Sequence, residues 1–458
     1  MRFESYAQAV DYIFKSIAAS GWRTRGLDEY TRDMRPASLL LEREALLLTR
    51  REYAVVTGSK GKGSVTVMTA NILKHLGHTV GTITSPQLRD HRERIRVNGR
   101  MIPEADFMRI LDSLAPSIDA VVEGLEPTKY LSPTAIFLAM ALRWFDENDV
   151  DVAIVEVGRG GRFDDNALIP NMLSLFTPIV LEHTRYLGET LERIAWHKAG
   201  IIKPQSYAYS LPQAPEVMEV LRREAESRDA QFDWLAPMDI GRFIGELPNG
   251  VRMGLGRYGE IDLPFMGHYE IDNATLASWG AGNIHGRLGG IAHSSAEYVE
   301  AVRRGLETTI WPGRGQRLQT EPDVYIDGAI NPFSAQLFLQ SVRNRLKQPV
   351  VLISAIPTDR DAPAVYRELL PVVDALVITR SPRNVTIFFP DEAEAVAGAR
   401  VVADELGKKI DIRYSYTIGD AIELGRSLAG LDGSVMMAVA QPAIGDAFEF
   451  YDLQYEQI

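Results

Sequence analysis

The sequence predicts an α/β protein built from doubly wound parallel sheets, with helices on both faces. Three observations predict it. Short, continuous apolar runs rich in β-branched residues recur along the chain, segments of helical spacing separate them, and a Gly-rich turn joins the first such run to the helix after it. Strands that stay apolar on both faces belong to a sheet covered on both sides, because a half-solvated sheet would alternate.

Taken in order, Tyr53-Ala54-Val55-Val56-Thr57 reads as a buried strand, and a helical pattern runs from Ser64 to about His75. Thr79 to Thr84 is the next strand, since β-branched residues dominate it. Residues 134–147 fit a helix, and Val150 to Val157 form a second strongly apolar strand ending at Gly158. From about 241 to 267, frequent Gly and Pro break the pattern into short strands, a small hairpin-rich excursion. Helix returns from Asn273 to about Gly282. Trp311-Pro312-Gly313-Arg314-Gly315 reads as a hinge, after which strands at 323–327, 349–354, 375–379 and 434–439 alternate with helices. The expected organisation is a larger unit over 1–312 and a smaller, Rossmann-like α/β unit over 313–458.

Composition narrows the function. A chain of 458 residues that is 46% apolar and 24% charged is an ordinary globular mix, long enough for two to three domains. The formal net charge of −12 disfavours nucleic acid or an anionic membrane as the main partner, although a local basic pocket for phosphate is compatible with it. With no cysteine, disulfides, iron–sulfur clusters, thiolate zinc sites and Cys nucleophiles are excluded. No uninterrupted apolar stretch reaches the roughly 18–20 residues that span a bilayer, and the N-terminus lacks a basic start followed by an apolar run. The expectation is a cytoplasmic protein acting on small molecules.

Gly58-Ser59-Lys60-Gly61-Lys62-Gly63-Ser64 sits between a strand and a helix, the context a phosphate cradle needs. Glycines let successive backbone N–H groups turn inward, the helix N-terminus adds partial positive charge, and Lys62 can reach terminal phosphates. Gly63 stands where Ser or Thr normally follows the Lys. The bland alternative is a flexible turn with a solubilising Lys; the strand–turn–helix context favours a P-loop-type nucleotide site.

This variant loop and several motifs downstream of it resemble the dihydrofolate synthase/folylpolyglutamate synthase family, a branch of the Mur ligases. The resemblance covers most of the first 315 residues and parts of the remainder. It rests on Thr57 to Ser64, on Thr84-Ser85-Pro86 with Glu93 to Gly99, on Glu156-Val157-Gly158-Arg159-Gly160-Gly161-Arg162, on His183 to Gly188, and on Lys198-Ala199-Gly200-Ile201-Ile202-Lys203-Pro204. It implies ATP-dependent amide formation: ATP phosphorylates a substrate carboxylate, and the amino group of an amino acid, usually glutamate, attacks the acyl phosphate. It further implies that Gly58, Gly61, Lys62, Gly63 and Ser64 hold phosphates, that Ser85, Glu156 and His183 hold magnesium, and that Lys198 is carbamylated. Asn273, Arg314 and Asp327 would meet the nucleotide, and Lys62, Glu156, His183 and Lys198 would carry the catalysis.

Residue chemistry agrees in part. Ser85, Glu156 and His183 each follow a strand-like run, where a doubly wound sheet places its ligand crevice, and Ser and Glu supply hard oxygen donors. Read alone, Glu156 could be a satisfied strand-end carboxylate, Ser85 a turn residue and Lys198 a helix-end cation, and a lone His183 is weak evidence. His197 has no motif and reads as structural.

Departures from the family pattern cluster where substrate would sit. The usual aromatic and Glu residues around 131–135 are Leu131-Ser132-Pro133-Thr134-Ala135, and the Asp-Ala-Thr-Asn run is Asp164-Asp165-Asn166-Ala167. The adenine-side His and Gln are Tyr269 and Glu270, the hallmark His of the second unit is Ile330, and Val439-Ala440-Gln441-Pro442 replaces a Thr-Gly-Ser ending. The sequence therefore suggests a paralogue that joins an amino acid, glutamate foremost, to a different carboxylate, with Ser132, Thr134, Asp164 and Asp165 in the altered pocket. The alternatives are ordinary dihydrofolate and folylpolyglutamate synthesis, and a non-catalytic ATP-binding subunit, which the loss of His at Ile330 favours. A plain phosphate-loop ATPase or kinase leaves Lys198 and the second unit without a purpose.

Overall fold

A computed structural model describes residues 2–22, 25–383 and 387–458. The larger sheet contains β1 (Glu52–Thr57), β2 (Val80–Ile83), β3 (Ile95–Val97), β4 (Arg100–Met101), β5 (Val152–Glu156), β6 (Leu173–Phe176), β7 (Tyr207–Ser210) and β8 (Gln231–Trp234). Their spatial order is β4-β3-β2-β5-β1-β6-β7-β8, and only β3 runs against the rest, pairing antiparallel with both β2 and β4. The apolar strands are buried on both faces, as their sequences require. Tyr53 and Val55 face one core with the helices Glu104–Glu123 and Pro133–Glu147, while Ala54 and Val56 face the other.

The helix after β1, Lys62–His75, begins two residues before the expected Ser64, because Gly61 at φ +89° already closes the turn. It packs on the sheet at β1, β2 and β5 and against two further helices, Tyr269–Arg287, which lies beside it on β6 and β7, and Ala296–Glu307. The first of these is longer at both ends than the expected Asn273–Gly282. Its first turn holds Tyr269, Glu270 and Asp272, polar residues that hide the helical pattern from a hydrophobicity reading. The excursion forms the antiparallel strands β9 (Arg242–Leu247), β10 (Gly250–Gly254) and β11 (Glu260–Leu263).

The second unit holds β12 (Gln316–Gln319), β13 (Asp323–Asp327), β14 (Val350–Ala355), β15 (Ala375–Ile378), β16 (Asp411–Tyr414) and β17 (Ser434–Val439). Their order is β12-β13-β17-β14-β15-β16, and only β12 runs antiparallel. The two outer strands escape the hydrophobic signal because edges need little apolar sequence: β12 is half-buried throughout and β16 alternates. The chain end returns to the first unit. Arg96, buried, donates to the carbonyls of Tyr455 and Glu456, and the Ile458 amide donates to the Gly99 carbonyl at 3.0 Å. Residues 455–458 thus cap the β3–β4 edge of the larger sheet rather than packing with the unit that precedes them.

Candidate active site

Loops at the C-terminal ends of β1, β2, β5, β13, β14 and β17 converge on one cleft of about 640 Å³ between the two units. The Gly-rich loop between β1 and the helix Lys62–His75 forms its floor. A Cβ on Gly61 would lie 2.5 Å from Asn273 Oδ1, and one on Gly63 would lie 2.7 Å from the Trp311 ring, so both positions accept only glycine. The first turn of the helix Lys62–His75 leaves its backbone N–H groups without intrahelical partners, and they open on the cleft. Lys62 Nζ folds back onto the Gly58 carbonyl at 3.0 Å, a weak hold that an entering phosphate would outcompete.

Ser85, Glu156 and His183 all line this cleft. Glu156 ends β5, and one oxygen accepts the Ser85 amide at 2.9 Å. Burial pushes its carboxyl above the usual range, against the pull of Lys62, Arg314 and Arg94. His183 adopts a left-handed conformation at φ 52°, and burial holds its imidazole at about 3, so it is neutral and keeps a lone pair at working pH. A carboxylate, a hydroxyl and a neutral imidazole fit a divalent cation in donor chemistry. Among the described residues no cluster of three His, Asp or Glu side chains could hold a metal, so part of the coordination would have to come from outside the protein's carboxylates and imidazoles.

Lys198 lies beneath the loop with no exposed surface. Its Nζ donates to the carbonyls of Gly58 at 2.7 Å and Arg159 at 3.0 Å, and Glu182 is 3.7 Å away. Burial lowers its amine to about 7, with Glu182 opposing. Burial also works against the Glu182 charge, but Lys198, Lys60 and Lys62 together hold that carboxyl at about 2.

The second unit supplies the facing wall. Arg314 is half-buried and has no carboxylate within ion-pair distance among the described residues. Asp327, at the end of β13, accepts the Gly315 amide at 2.8 Å and the Tyr269 hydroxyl at 3.0 Å, which ties the hinge and the first unit to the second sheet. Burial raises its carboxyl, with Arg314 opposing.

Comparison with known proteins decides what this cleft belongs to. Residues 56–281 match the Mur ligase middle domain. The dihydrofolate synthase/folylpolyglutamate synthase of Mycobacterium tuberculosis is 31% identical over 418 residues, spanning 86% of this chain and 81% of that protein. The chain belongs to this family. The Bacillus subtilis dihydrofolate synthase/folylpolyglutamate synthase is 35% identical over 297 residues, 63% of this chain and 67% of that protein. The folylpolyglutamate synthase of M. tuberculosis, solved with ADP, superposes with a TM-score of 0.83 at 26% identity, covering 98% of this chain and all of that one. Membership places the chain among ATP-dependent amide ligases with the Mur ligase fold. Among the described residues no helix is long and apolar enough to cross a membrane.

Several residues singled out from the sequence lie outside the cleft. Gly58 and Asn273 sit behind the loop: the Gly58 carbonyl takes Lys62 and Lys198, and Asn273 Nδ2 donates to Glu270 at 2.9 Å. Two of the candidate pocket residues form an internal brace. Ser132 caps the helix Pro133–Glu147 and its hydroxyl donates to buried Asp165, which also pairs with Arg32 at 2.6 Å. Asp164 accepts the Gly158 and Asn166 amides, holding the Gly-Gly-Arg turn, and Thr134, in the first turn of the same helix as Pro133, is half-buried. None of Ser132, Thr134, Asp164 and Asp165 lines the cleft: Ser132 and Asp165 turn toward each other, and Asp164 toward the amides of its own loop. Conversely, Glu182, Lys60, Arg159, Tyr186 and Arg360 line it without having been singled out. A carboxylate directly before His183 was the available signal for Glu182; Arg360 comes from a loop after β14 that carries no pattern.

Proposed function

We propose that the chain adds glutamate to the carboxylate of a pteroate or folate in an ATP-dependent reaction. The observation that carries this is the cleft itself, where the phosphate loop, Ser85, Glu156 and His183 of one unit face Arg314 and Asp327 of the other. The folate reading draws on the names of the relatives and on the brace formed by Ser132, Asp165 and Arg32. The 131–135 and 164–167 departures, which suggested a different carboxylate, are packed against each other and touch no cleft surface, so they give little reason to expect a changed substrate.

In this reading, ATP phosphates rest on the N–H groups from Gly61 to Ser64, with Lys62 and Arg314 offsetting their charge as the acceptor carboxylate attacks in line. Ser85, Glu156 and His183 would hold magnesium, which when bound supplies charge neutralisation at the phosphates. Lys198, close to half neutral at neutral pH, has the amine a carbamate requires: the lone pair attacks CO2, one proton leaves, and the remaining N–H still has a carbonyl acceptor. Approach of the two units about Gly313 and Gly315 keeps water from the acyl phosphate until the glutamate amine displaces phosphate. The deciding experiment is a mass-spectrometric ligation assay with ATP, magnesium, glutamate and either dihydropteroate or a reduced folate. A product heavier by one glutamyl unit is expected. ADP release only with other carboxylates would restore the altered-substrate reading, and no nucleotide turnover with any would favour a binding subunit.

A further inference from the structure

Glu270 is a fully buried carboxyl group at the phosphate site for which the proposed reaction has no use. It stands in the first turn of the helix Tyr269–Arg287 and lies against the cleft without exposed surface. Oε1 accepts the hydroxyl of Ser64 at 2.8 Å, and Oε2 accepts Asn273 Nδ2 at 2.9 Å. Arg314 and Asp327 face it from the second unit, and Tyr269 adjoins it on its own helix.

A hydroxyl has one hydrogen. While Ser64 gives that hydrogen to Glu270, it presents only lone pairs to the cleft and cannot donate to a phosphate oxygen. An ionised Glu270 also adds a buried negative charge beside an incoming polyanion. One proton removes both obstacles: the neutral acid donates to Ser64 Oγ, and the Ser64 hydrogen turns toward the phosphates. We propose that Glu270 takes up one proton from solvent as ATP binds, switching Ser64 from a donor to Glu270 into a donor to phosphate. Burial sets the carboxyl at about 7, with Ser64, Asn273 and Arg314 opposing, so the proton is available from neutral solution. The Gln of the family pattern is neutral at every pH and has no such coupling. The inference rests on ATP occupying this cleft.

The test is calorimetric titration with magnesium and ATP in buffers of differing ionisation enthalpy, on wild-type protein and E270Q. At about pH 8 the wild type is expected to take up close to one proton more per site than E270Q. Its Kd should rise toward tenfold per pH unit above about pH 7.5, whereas that of E270Q rises less. Lys198 contributes equally in both, so the difference isolates Glu270. Equal uptake by the two proteins, or a wild-type Kd flat with pH, overturns the proposal. An affinity loss in E270Q at every pH with unchanged proton uptake overturns it too, since that marks a merely structural role. Failure of both proteins to bind nucleotide would instead remove the underlying reading, and the inference with it.

Discussion

Lys198 Nζ reaches the carbonyl oxygen of Gly58 across 2.7 Å, tying the end of the helix Leu191–Ala199 to the first residue of the phosphate loop. The amine is held near neutrality by burial, and a neutral amine is the form that reacts with CO2. Removing it should lower turnover about 10–100-fold, the scale of losing a group that orients a metal site. Lys198→Ala measured in decarbonated and bicarbonate-containing buffers checks the chemistry: wild type should slow without CO2 and the variant should not respond. A variant at full rate would eliminate the carbamate.

Lys62 has only the Gly58 carbonyl at 3.0 Å and a longer reach to Ser59, and Arg314 has no carboxylate partner among the described residues. Carboxylates near them feel both charges, but neither cation is engaged in an ion pair among the described residues. Lys62→Ala should cost about 10²–10³ in kcat, with the thermal midpoint little changed. Steady-state turnover and a melting curve on the same preparation check both halves of this expectation.

Arg314 comes from the opposite unit, so its loss should register in both nucleotide binding and rate. We expect Arg314→Ala to raise the KM for ATP and lower kcat together. Arg314→Lys should recover only part of this, because an ammonium lacks the planar donor fork that matches phosphate oxygens. Steady-state kinetics on the two variants separate the outcomes; full recovery with Lys would mean that charge alone is needed.

The Arg32–Asp165 pair is nearly closed to solvent, with side-chain exposures of 11% and 2%. Arg32→Ala leaves Asp165 buried and uncompensated and should destabilise the protein by about 3–5 kcal/mol in denaturant unfolding. Adding Asp165→Asn should return most of that, while turnover per folded molecule stays near wild type. A change of substrate preference in the double variant would instead put this brace in the binding pocket.

Glu270 also links stability to pH. Its carboxyl is raised in the folded state, so the folded protein binds the proton more tightly than the unfolded chain. The cost of burying the charge is therefore absent at low pH and grows as pH rises from about 4.5 through about 7. E270Q should match wild type in unfolding free energy near pH 4.5 and exceed it above neutrality, by an amount on the order of 3 kcal/mol at most. A difference that does not vary with pH would mean that the Glu270 carboxyl binds its proton equally well folded and unfolded, so that burial does not raise it.

Much of the site was legible because its residues announce themselves locally. A phosphate loop needs glycines at fixed offsets between a strand and a helix, and Gly58 to Ser64 carry that pattern without help from distant chain. The apolar strands β1, β5, β13 and β17 were equally plain, since burial on both faces demands continuous hydrophobic sequence. By itself, then, the sequence determined an α/β fold with two sheets, a Gly-rich strand–turn–helix loop and the family. Tertiary structure alone decided which polar residues meet. It joined Ser132, Asp165 and Arg32 in a brace, moved Asn273 behind the loop, and brought Glu270 against Ser64 and Asp327 against Tyr269. Most of these contacts join positions far apart in the chain, and a hydrogen bond depends on where two side chains end, a matter of packing that no local pattern encodes.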